Sequence, residues 1–278
     1  MTGYRVALRD GRNLGVTATG DPAATRIVLM CLPSPGASGF DPDPEITGRW
    51  GVRLMSLDRP GSGASDAPAT GLDARVGTRA DEFAQYVDRV EEDSRATQGV
   101  DFGPIGVVGW GYGALDALAL AAHRPEMVGA LALVDPLSPE AVSDEPPQPP
   151  FTLGDLGIPD DAAELDRPGL RDRLERMLEA AAAQGDAGVR ADRAALPGRH
   201  APGPSRRLDV APLVLTSPGR LAATRRALAD LGASSGFARL EPEVVDGASD
   251  GLAIVAGWER ILRHVAPAHG DVPASARR

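Results

Sequence analysis

The turn Gly109-Trp110-Gly111-Tyr112-Gly113, with glycine at every second position, constrains the fold of this chain more than any other stretch. The residues before it, 105–108, form a short apolar run that is typical of a buried strand. The residues after it, 114–122, are rich in Ala and Leu and are typical of a helix. A strand that passes through a glycine turn into a helix indicates an α/β architecture.

Strand and helix patterns alternate along most of the chain. The first two strand patterns, 4–8 and 14–19, flank Asp10-Gly11 and predict a hairpin. Further strands are predicted at 26–31, 52–57, 127–134, 213–216 and 238–245, and further helices at 73–97, 221–231 and 252–265. This order predicts a doubly wound, mostly parallel sheet with helices on both faces. Functional residues are then expected at the carboxyl ends of the strands.

The alternation breaks between residues 138 and 207, a stretch rich in Pro, Asp and Ala. Within it, five apolar residues at helical spacing predict one amphipathic helix that begins near Pro168: Leu170, Leu174, Met177, Leu178 and Ala181. We interpret this stretch as an insertion that forms a small lid over the sheet, with the proline cluster 146–150 as its hinge. The core then comprises residues 1–137 and 208–265, and the tail 266–278 is expected to be disordered.

Composition limits the partners of the chain. With 29 Lys and Arg against 39 Asp and Glu, the net charge is −10, which argues against nucleic acid and anionic membranes. No apolar run reaches the length of a membrane span and the N-terminus lacks a signal pattern, so a cytoplasmic location is expected. Cys31 is the only cysteine, which excludes an internal disulfide, and no cofactor or metal is expected. Lysine does not occur, which excludes lysine chemistry and suggests a GC-rich bacterial genome.

Three motifs carry a resemblance to a known family. The loop 58–66 reads D-R-P-G-S-G-A-S-D, residues 124–128 read R-P-E-M-V, and the loop 32–36 reads L-P-S-P-G. In these motifs and in the order of its elements, the chain closely resembles the α/β-hydrolase superfamily, specifically its lid-bearing esterase, epoxide-hydrolase and haloperoxidase-like branch. The resemblance implies the α/β-hydrolase fold. It also implies that the turn 109–113 is a nucleophile elbow, the G-x-S-x-G turn that presents an attacking serine.

The catalytic residues of that family do not carry over to this chain. In the family a Ser attacks, a His takes its proton, and an Asp or Glu orients the His. Here Gly111 stands at the nucleophile position, Asp250 stands at the His position, and the loop 217–221, where the acid usually follows, contains no carboxylate. No histidine falls at a catalytic position; the four are His123, His200, His264 and His269. The resemblance therefore implies a member without the Ser-His-Asp triad.

The amide cradle of the elbow is expected to remain. The resemblance implies an oxyanion hole built from the backbone N–H groups of Ser34 and Tyr112, neither of which is a proline. A nucleophile at an elbow is held at positive φ, which costs about 1–3 kcal/mol for a residue with a side chain. Glycine adopts this conformation without strain, so Gly111 fits a chain that kept the turn and lost the reactive group.

The side chains around this site each have a structural and a functional interpretation. Asp250 is either the N-cap of the next helix or a general base whose pKa is raised by an apolar pocket. The Tyr112 phenol either packs at the base of the lid or donates a proton to a ligand. Asp135 is either a structural turn residue or the acid that some family members keep at this place. Leu32, Trp110 and Asp135 are expected to line the pocket.

Three further residues carry weaker functional interpretations. Asp116 is either exposed or a buried partner for an arginine of the lid or for a backbone donor. His200 is either a surface residue of the lid or a relocated base. Cys31 lies in a predicted buried strand and is expected to be an inert core thiol.

The sequence supports three hypotheses of function, all with a small-molecule partner and an open oligomeric state. The first is a non-hydrolytic enzyme that binds an apolar or aromatic carbonyl compound and carries out cyclisation, isomerisation, elimination or decarboxylation in bacterial secondary metabolism. In it the amides of Ser34 and Tyr112 polarise the carbonyl, and Asp250 or Tyr112 transfers the proton. The second is a catalytically inactive protein that binds a small molecule or a protein partner. The third is a hydrolase with a rearranged triad that uses Ser34, Ser249 or His200.

Overall fold

The computed structural model of the protein describes residues 2–68, 76–99, 102–138, 145–196, 208, 210–232 and 240–267. The strands are β1 (Thr2–Ala7), β2 (Asn13–Gly20), β3 (Ile27–Cys31), β4 (Arg53–Leu57), β5 (Ile105–Trp110), β6 (Val128–Val134), β7 (Leu213–Thr216) and β8 (Glu243–Val244). The helices are α1 (Pro44–Trp50), α2 (Val76–Gln98), α3 (Gly113–His123), α4 (Leu170–Ala181), α5 (Ala187–Ala195), α6 (Leu221–Gly232), α7 (Ala253–Ala256) and α8 (Trp258–Val265).

The eight strands form one sheet in the order β1-β2-β4-β3-β5-β6-β7-β8. Strand β2 pairs antiparallel with β1 and with β4, and every neighbouring pair from β4 to β8 is parallel. The predicted doubly wound, mostly parallel sheet is therefore confirmed. Strands β3 and β5 are buried along their whole length, as continuous apolar runs predict for central parallel strands.

Helices cover both faces of the sheet, and each face has its own apolar core. Helices α2, α3 and α6 pack on one face, where Phe83 and Leu228 are buried. Helices α1, α7 and α8 pack on the opposite face around Trp258. Successive residues of β5 alternate between the two cores, with Val107 in the first and Val108 in the second, because neighbouring side chains of a strand point to opposite faces.

Two helical details differ from the prediction made from the sequence. Helix α1 was not predicted, although the chain carries a signal for its start. The Asp43 carboxylate accepts hydrogen bonds from the amides of Glu45 and Ile46, and Pro44 occupies the first turn. The helix predicted at 252–265 is two helices, α7 and α8, separated at Gly257. The first residues of the predicted helix 73–97 and strand 238–245, and all of the tail after residue 267, lie outside the described residues.

The chain between β6 and β7, described for residues 145–196 and called the connecting segment below, is largely helical. Its helix α4 is the amphipathic helix predicted from the sequence, and the five apolar residues of the predicted stripe are buried. Four of these residues, Leu170, Leu174, Met177 and Leu178, join the core on the face of α8. Helix α5 lies against the loop 58–66, because a Cβ atom at Gly61 would be only 3.0 Å from the carbonyl carbon of Ala187. In the described part of the chain, no helix has the length and apolar character of a membrane span.

Candidate functional site

The glycine turn between β5 and α3 has the geometry of an elbow. Gly111 has a φ of 56°, in the left-handed region that favours glycine, and its amide donates to the Val134 carbonyl at 2.9 Å. A Cβ atom on Gly111 would meet only Pro33, at 3.5 Å, so this side of the turn has room for a side chain. Gly113 differs, because a Cβ there would lie 2.2 Å from the Cys31 carbonyl oxygen. Gly113 therefore allows α3 to approach β3, whereas Gly111 satisfies a backbone conformation.

The loop after β3 and the start of α3 bring the amides of Ser34 and Tyr112 to this edge of the sheet. Within the described residues, neither amide donates a hydrogen bond to a protein acceptor. Leu32 and Trp110, which were expected to line a pocket together with Asp135, are 1% and 2% exposed and pack in the core, where the rings of Trp110 and Phe40 lie 5.3 Å apart. The two predicted cradle amides thus keep their hydrogen-bonding capacity, whereas the side chains expected to line the pocket are buried.

Asp135, the first residue after β6, adjoins the turn. Trp110 and Val134 are register partners in β5 and β6, so Gly111 and Asp135 are the next residues on neighbouring strands. Asp135 is 1% exposed and has a φ of 44°, the only positive φ of a non-glycine residue in the described chain. A residue with a side chain in this region is strained, and such strain concentrates at functional sites.

The two carboxylate oxygens of Asp135 have unequal partners. Its Oδ1 accepts from the Thr216 hydroxyl at 2.8 Å and from the Ser217 amide at 3.0 Å. Its Oδ2 is buried and accepts no hydrogen bond within the described structure. Burial raises the pKa of Asp135, and the nearby negative charge of Asp250 acts in the same direction.

Ser217, the first residue after β7, connects Asp135 to Asp250. Its hydroxyl donates to Asp250 Oδ1 at 3.0 Å and lies 3.5 Å from Asp135 Oδ1. Asp250 is half-buried and is not a helix N-cap, because α7 begins three residues later and Leu252 holds the cap position. The structure therefore brings together two carboxylates that the sequence suggested separately. It adds Ser217, whose only signal in the sequence is its place at the end of a core strand.

The comparisons with known proteins agree with this architecture. The model of the alpha/beta hydrolase family matches residues 28–273, most of the chain. The chain belongs to the alpha/beta hydrolase family. Its fold is similar to that of a hydrolase from Pseudomonas aeruginosa, with 17% identity over 94% of this chain and 97% of that chain and a TM-score of 0.63.

Two further solved structures show the same fold at low sequence identity. An alpha/beta hydrolase fold protein from Nakamurella multipartita is 20% identical over 94% of this chain and 99% of that chain, with a TM-score of 0.62. An epoxide hydrolase from Vigna radiata is 14% identical over 95% of this chain and 96% of that chain, with a TM-score of 0.58. The comparison with curated proteins finds no match.

In this alpha/beta hydrolase the Tyr112 phenol does not lie on the face of the sheet where Leu32 and Trp110 are buried. Tyr112 is 1% exposed and belongs to the core on the opposite face of the sheet. Its hydroxyl accepts from Arg79 Nη2 at 2.6 Å and donates to the Asp192 carbonyl at 2.7 Å. The role predicted for this phenol in proton transfer does not fit that position, because both hydrogen-bonding directions are occupied. Burial also raises its pKa above the ordinary value.

Below the elbow lies a buried ionic cluster, defined here as Arg59, Arg79, Tyr112, Asp116 and Asp192. Asp192 Oδ1 accepts from Arg59 Nε at 2.8 Å and from Arg79 Nη1 at 2.6 Å. Asp116, which is fully buried, lies 3.9 Å from Arg59 Nη1 and 3.6 Å from Arg79 Nε. Of the two interpretations of Asp116, exposed or buried with a partner, the structure shows the buried one. Its arginine partners come from the core, however, and the connecting segment supplies an aspartate instead. Burial raises the pKa of Asp116, and the two guanidinium groups oppose that rise.

The described histidines lie away from the elbow of this family member. His264 is half-buried in α8, and its Nε2 is 3.1 Å from the Leu131 carbonyl oxygen. His123 is the last residue of α3, at the other end of the helix from the elbow. His200 and His269 lie outside the described residues. Cys31 is a buried thiol, as predicted, and burial raises its pKa.

Proposed function

We propose that this family member is a proton-transfer enzyme that acts on an apolar or aromatic carbonyl compound without forming an acyl-enzyme. The observation that carries the proposal is the pair of carboxylates, Asp135 and Asp250, connected by the Ser217 hydroxyl beside the elbow. When they take place at the carbon next to a carbonyl group, isomerisation, elimination, cyclisation and decarboxylation can each proceed through an enolate, which such a site can stabilise. A cytoplasmic bacterial enzyme of secondary metabolism is the setting that we propose for it.

Acyl-enzyme chemistry needs a nucleophile and a base that this elbow does not supply. Gly111 has no side chain, Asp250 takes the place of the imidazole, and the loop 217–221, where the acid usually follows in the family pattern, contains no carboxylate. We therefore propose that the Ser-His-Asp triad is lost. The two amides that would stabilise an oxyanion are independent of these side chains and remain in the proposed site.

The proposed reaction begins with the substrate carbonyl oxygen at the amides of Ser34 and Tyr112. Asp250 takes a proton from the neighbouring carbon, and the electron pair of the broken C–H bond moves toward the carbonyl oxygen, which the amides stabilise as an enolate. The Ser217 hydroxyl connects Asp250 to Asp135, so the proton can be held by the pair. Return of the proton to a different carbon gives an isomer, and loss of a leaving group gives an elimination product.

We propose an apolar substrate because Leu32, Phe40, Trp110 and the apolar face of α4 form one core on this side of the elbow. These side chains pack together and are almost fully buried. We propose that the connecting segment is the lid of the site and that it excludes water from the carboxylates. Burial raises the pKa of Asp135, because water no longer stabilises its charged form, and exclusion of water therefore makes this carboxylate a stronger base.

Hydrogen–deuterium exchange at carbon tests this proposal without knowledge of the natural substrate. The protein is incubated in D₂O with a panel of aryl ketones and 1,3-dicarbonyl compounds, and loss of the α-proton signal is followed by NMR. We expect catalysed exchange by the wild type, and loss of the catalysis in Asp250→Asn. Asp246→Asn, which changes an exposed carboxylate in the same loop, is the matched control and should behave like the wild type. Equal exchange by wild type and Asp250→Asn would exclude Asp250 as the base.

A catalytically inactive binding protein is the second candidate, and the attachment of the connecting segment favours it. Polar contacts hold this segment to the core at several points: the Ser249 amide donates to Glu164 Oε1 at 2.8 Å, and Arg173 Nε donates to the Asp41 carbonyl at 2.9 Å. A segment held in this way restricts the entry and release of ligands. Thermal-shift screening against a metabolite panel, followed by product analysis, separates the candidates, because stabilisation without conversion indicates binding alone.

A hydrolase with a rearranged triad is the third candidate. It is favoured by family membership and by the Ser217 hydroxyl, which donates to a carboxylate. Ser34, Ser249 and His200 remain its other candidate residues. Covalent labelling by a fluorophosphonate probe, with the labelled residue identified by mass spectrometry, would support it. Absence of labelling in a protein that catalyses carbon–deuterium exchange would support the first candidate.

A further inference from the structure

We propose that Arg59 and Asp192 are positioning residues that orient both amides of the cradle. This inference rests on the proposed function, which assigns the Ser34 and Tyr112 amides to the substrate carbonyl. It adds that the buried ionic cluster beneath the elbow holds those amides in place, and that the connecting segment takes part through Asp192. The observations come from three sides of the cluster.

On the first side, Arg59 holds the loop that carries Ser34. Its Nη1 donates to the Leu32 carbonyl and its Nη2 to the Pro33 carbonyl, each at 2.6 Å. The Pro33 carbonyl and the Ser34 amide belong to one planar trans peptide unit, in which C=O and N–H point in opposite directions. Because the carbonyl points down to Arg59, the Ser34 N–H points up, away from the cluster. Arg59 is 2% exposed, so water competes little for these bonds.

On the second side, the cluster fixes the residue that carries the other amide. The Tyr112 hydroxyl is held between Arg79 and the Asp192 carbonyl, and both guanidinium groups lie 5.3 Å from the centre of its ring. Cation–π contacts of this kind are stronger when the groups are desolvated. The phenol therefore anchors Tyr112 from below, and its backbone amide stays at the first turn of α3.

On the third side, a single carboxylate joins the two halves. Asp192 Oδ1 accepts from both Arg59 and Arg79, and Asp192 belongs to α5 of the connecting segment. Helix α5 packs closely on the loop that carries Arg59, since a Cβ atom at Gly188 would lie 2.0 Å from the Ser62 hydroxyl oxygen. Displacement of α5 would remove the shared acceptor and release both guanidinium groups. The position of the connecting segment and the shape of the cradle are thus coupled.

NMR titration with acetophenone, a neutral aryl ketone, tests the inference without requiring turnover. In the wild type we expect saturable shifts of the Ser34 and Tyr112 amide signals. In Arg59→Met the Ser34 response should disappear and affinity for acetophenone should fall by a factor of about 2–10, as expected for the loss of one hydrogen bond to a neutral carbonyl. Arg59→Lys keeps the charge but not the paired donors, so it should not restore the Ser34 response. Asp192→Asn should weaken the responses of both amides.

Arg26→Met is the matched control, because Arg26 also donates to backbone carbonyls, those of Ala266 and Pro267, but far from the cradle. It should keep both amide responses. The inference is wrong if acetophenone shifts neither amide in the wild type, or if Arg59→Lys or Asp192→Asn responds like the wild type. Should Arg59→Met not fold, these two variants decide the question. Amide shifts without carbon–deuterium exchange would contradict the proposed function and leave the positioning role intact.

Discussion

Replacement of Gly111 by serine separates the backbone requirement of the elbow from its chemistry. At a φ of 56°, a residue with a side chain is strained by about 1–3 kcal/mol. The lower entropy of the unfolded chain with serine offsets about 0.4–1 kcal/mol of this strain. No steric cost is added, because the nearest atom to the new Cβ, at Pro33, is 3.5 Å away. The net loss in the free energy of unfolding is therefore about 1 kcal/mol, which lowers Tm by about 2–4 °C.

Urea unfolding and thermal melts measure the stability of Gly111→Ser, and hydrolysis of p-nitrophenyl acetate measures its chemistry. We expect folded protein with no ester hydrolysis above that of the wild type, since no histidine of the described chain lies at the elbow. Gly113→Ser is the matched control. Its Cβ would lie 2.2 Å from the Cys31 carbonyl oxygen, so the loss should be about 3 kcal/mol or more.

Two results would refute this reasoning. Robust ester hydrolysis by Gly111→Ser would show that a base lies within reach of the new hydroxyl, and the proposed loss of the triad would be wrong. A loss of stability as large as that of Gly113→Ser would show that the space above Gly111 is filled in solution. In that case the elbow would have no room for a ligand at the amides.

Three further predictions concern the carboxylates and the connecting segment. Because burial raises the pKa of folded Asp135, its contribution to the free energy of unfolding is greatest below the ordinary pKa of aspartate and is lost as pH rises through the raised value. The stability of Asp135→Asn, measured by urea unfolding, should therefore increase relative to that of the wild type as pH rises above about 4. A pH-independent difference would contradict this. In the same assay Asp192→Asn should lower the free energy of unfolding by about 3–5 kcal/mol, because it leaves two buried guanidinium groups with one carboxylate. The control variant Asp186→Asn, in the same segment, should lower it by less than about 0.5 kcal/mol. If both variants lost the same free energy of unfolding, the result would show that water reaches the ionic cluster. Leu174→Ala, at a fully buried position of α4, should lower the free energy of unfolding by about 2–5 kcal/mol. A decrease of less than about 1 kcal/mol would show that α4 is not packed on the core.

The sheet could be predicted from the sequence because its signals are local. Continuous apolar runs indicated β3 and β5, and the glycine turn indicated the passage from β5 to α3. The start signal of α1 was equally local, and the Asp43-Pro44 cap could have been found. The division of the last predicted helix into α7 and α8 has a weaker signal, a single glycine at position 257.

The buried ionic cluster could not be predicted in the same way. Its five members come from the loop 58–66, from α2, α3 and α5, and from the turn itself, so only the tertiary fold brings them together. Asp116 was the one member whose sequence position, in an apolar helix, suggested a buried partner. The pair of Asp135 and Asp250 is similar, because its connection depends on Ser217 at the end of a third element.

The elbow separates two groups of charge that are compensated in different ways. Below it, two arginines face two aspartates, and the formal charges of the buried cluster sum to zero. Above it, Asp135 forms no ion pair within the described structure, although it is 1% exposed. Carboxylate oxygens without a hydrogen bond occur in both groups, at Asp135 Oδ2 above and at both oxygens of Asp116 and Asp192 Oδ2 below, so the ion pairs are what distinguish the lower group. An isolated buried carboxylate is costly unless a proton or a ligand compensates it. The lower group therefore contains its own compensating charges, whereas the upper group requires a proton or a bound molecule, and for this reason we propose that the chemistry takes place on the side of Asp135 and Asp250.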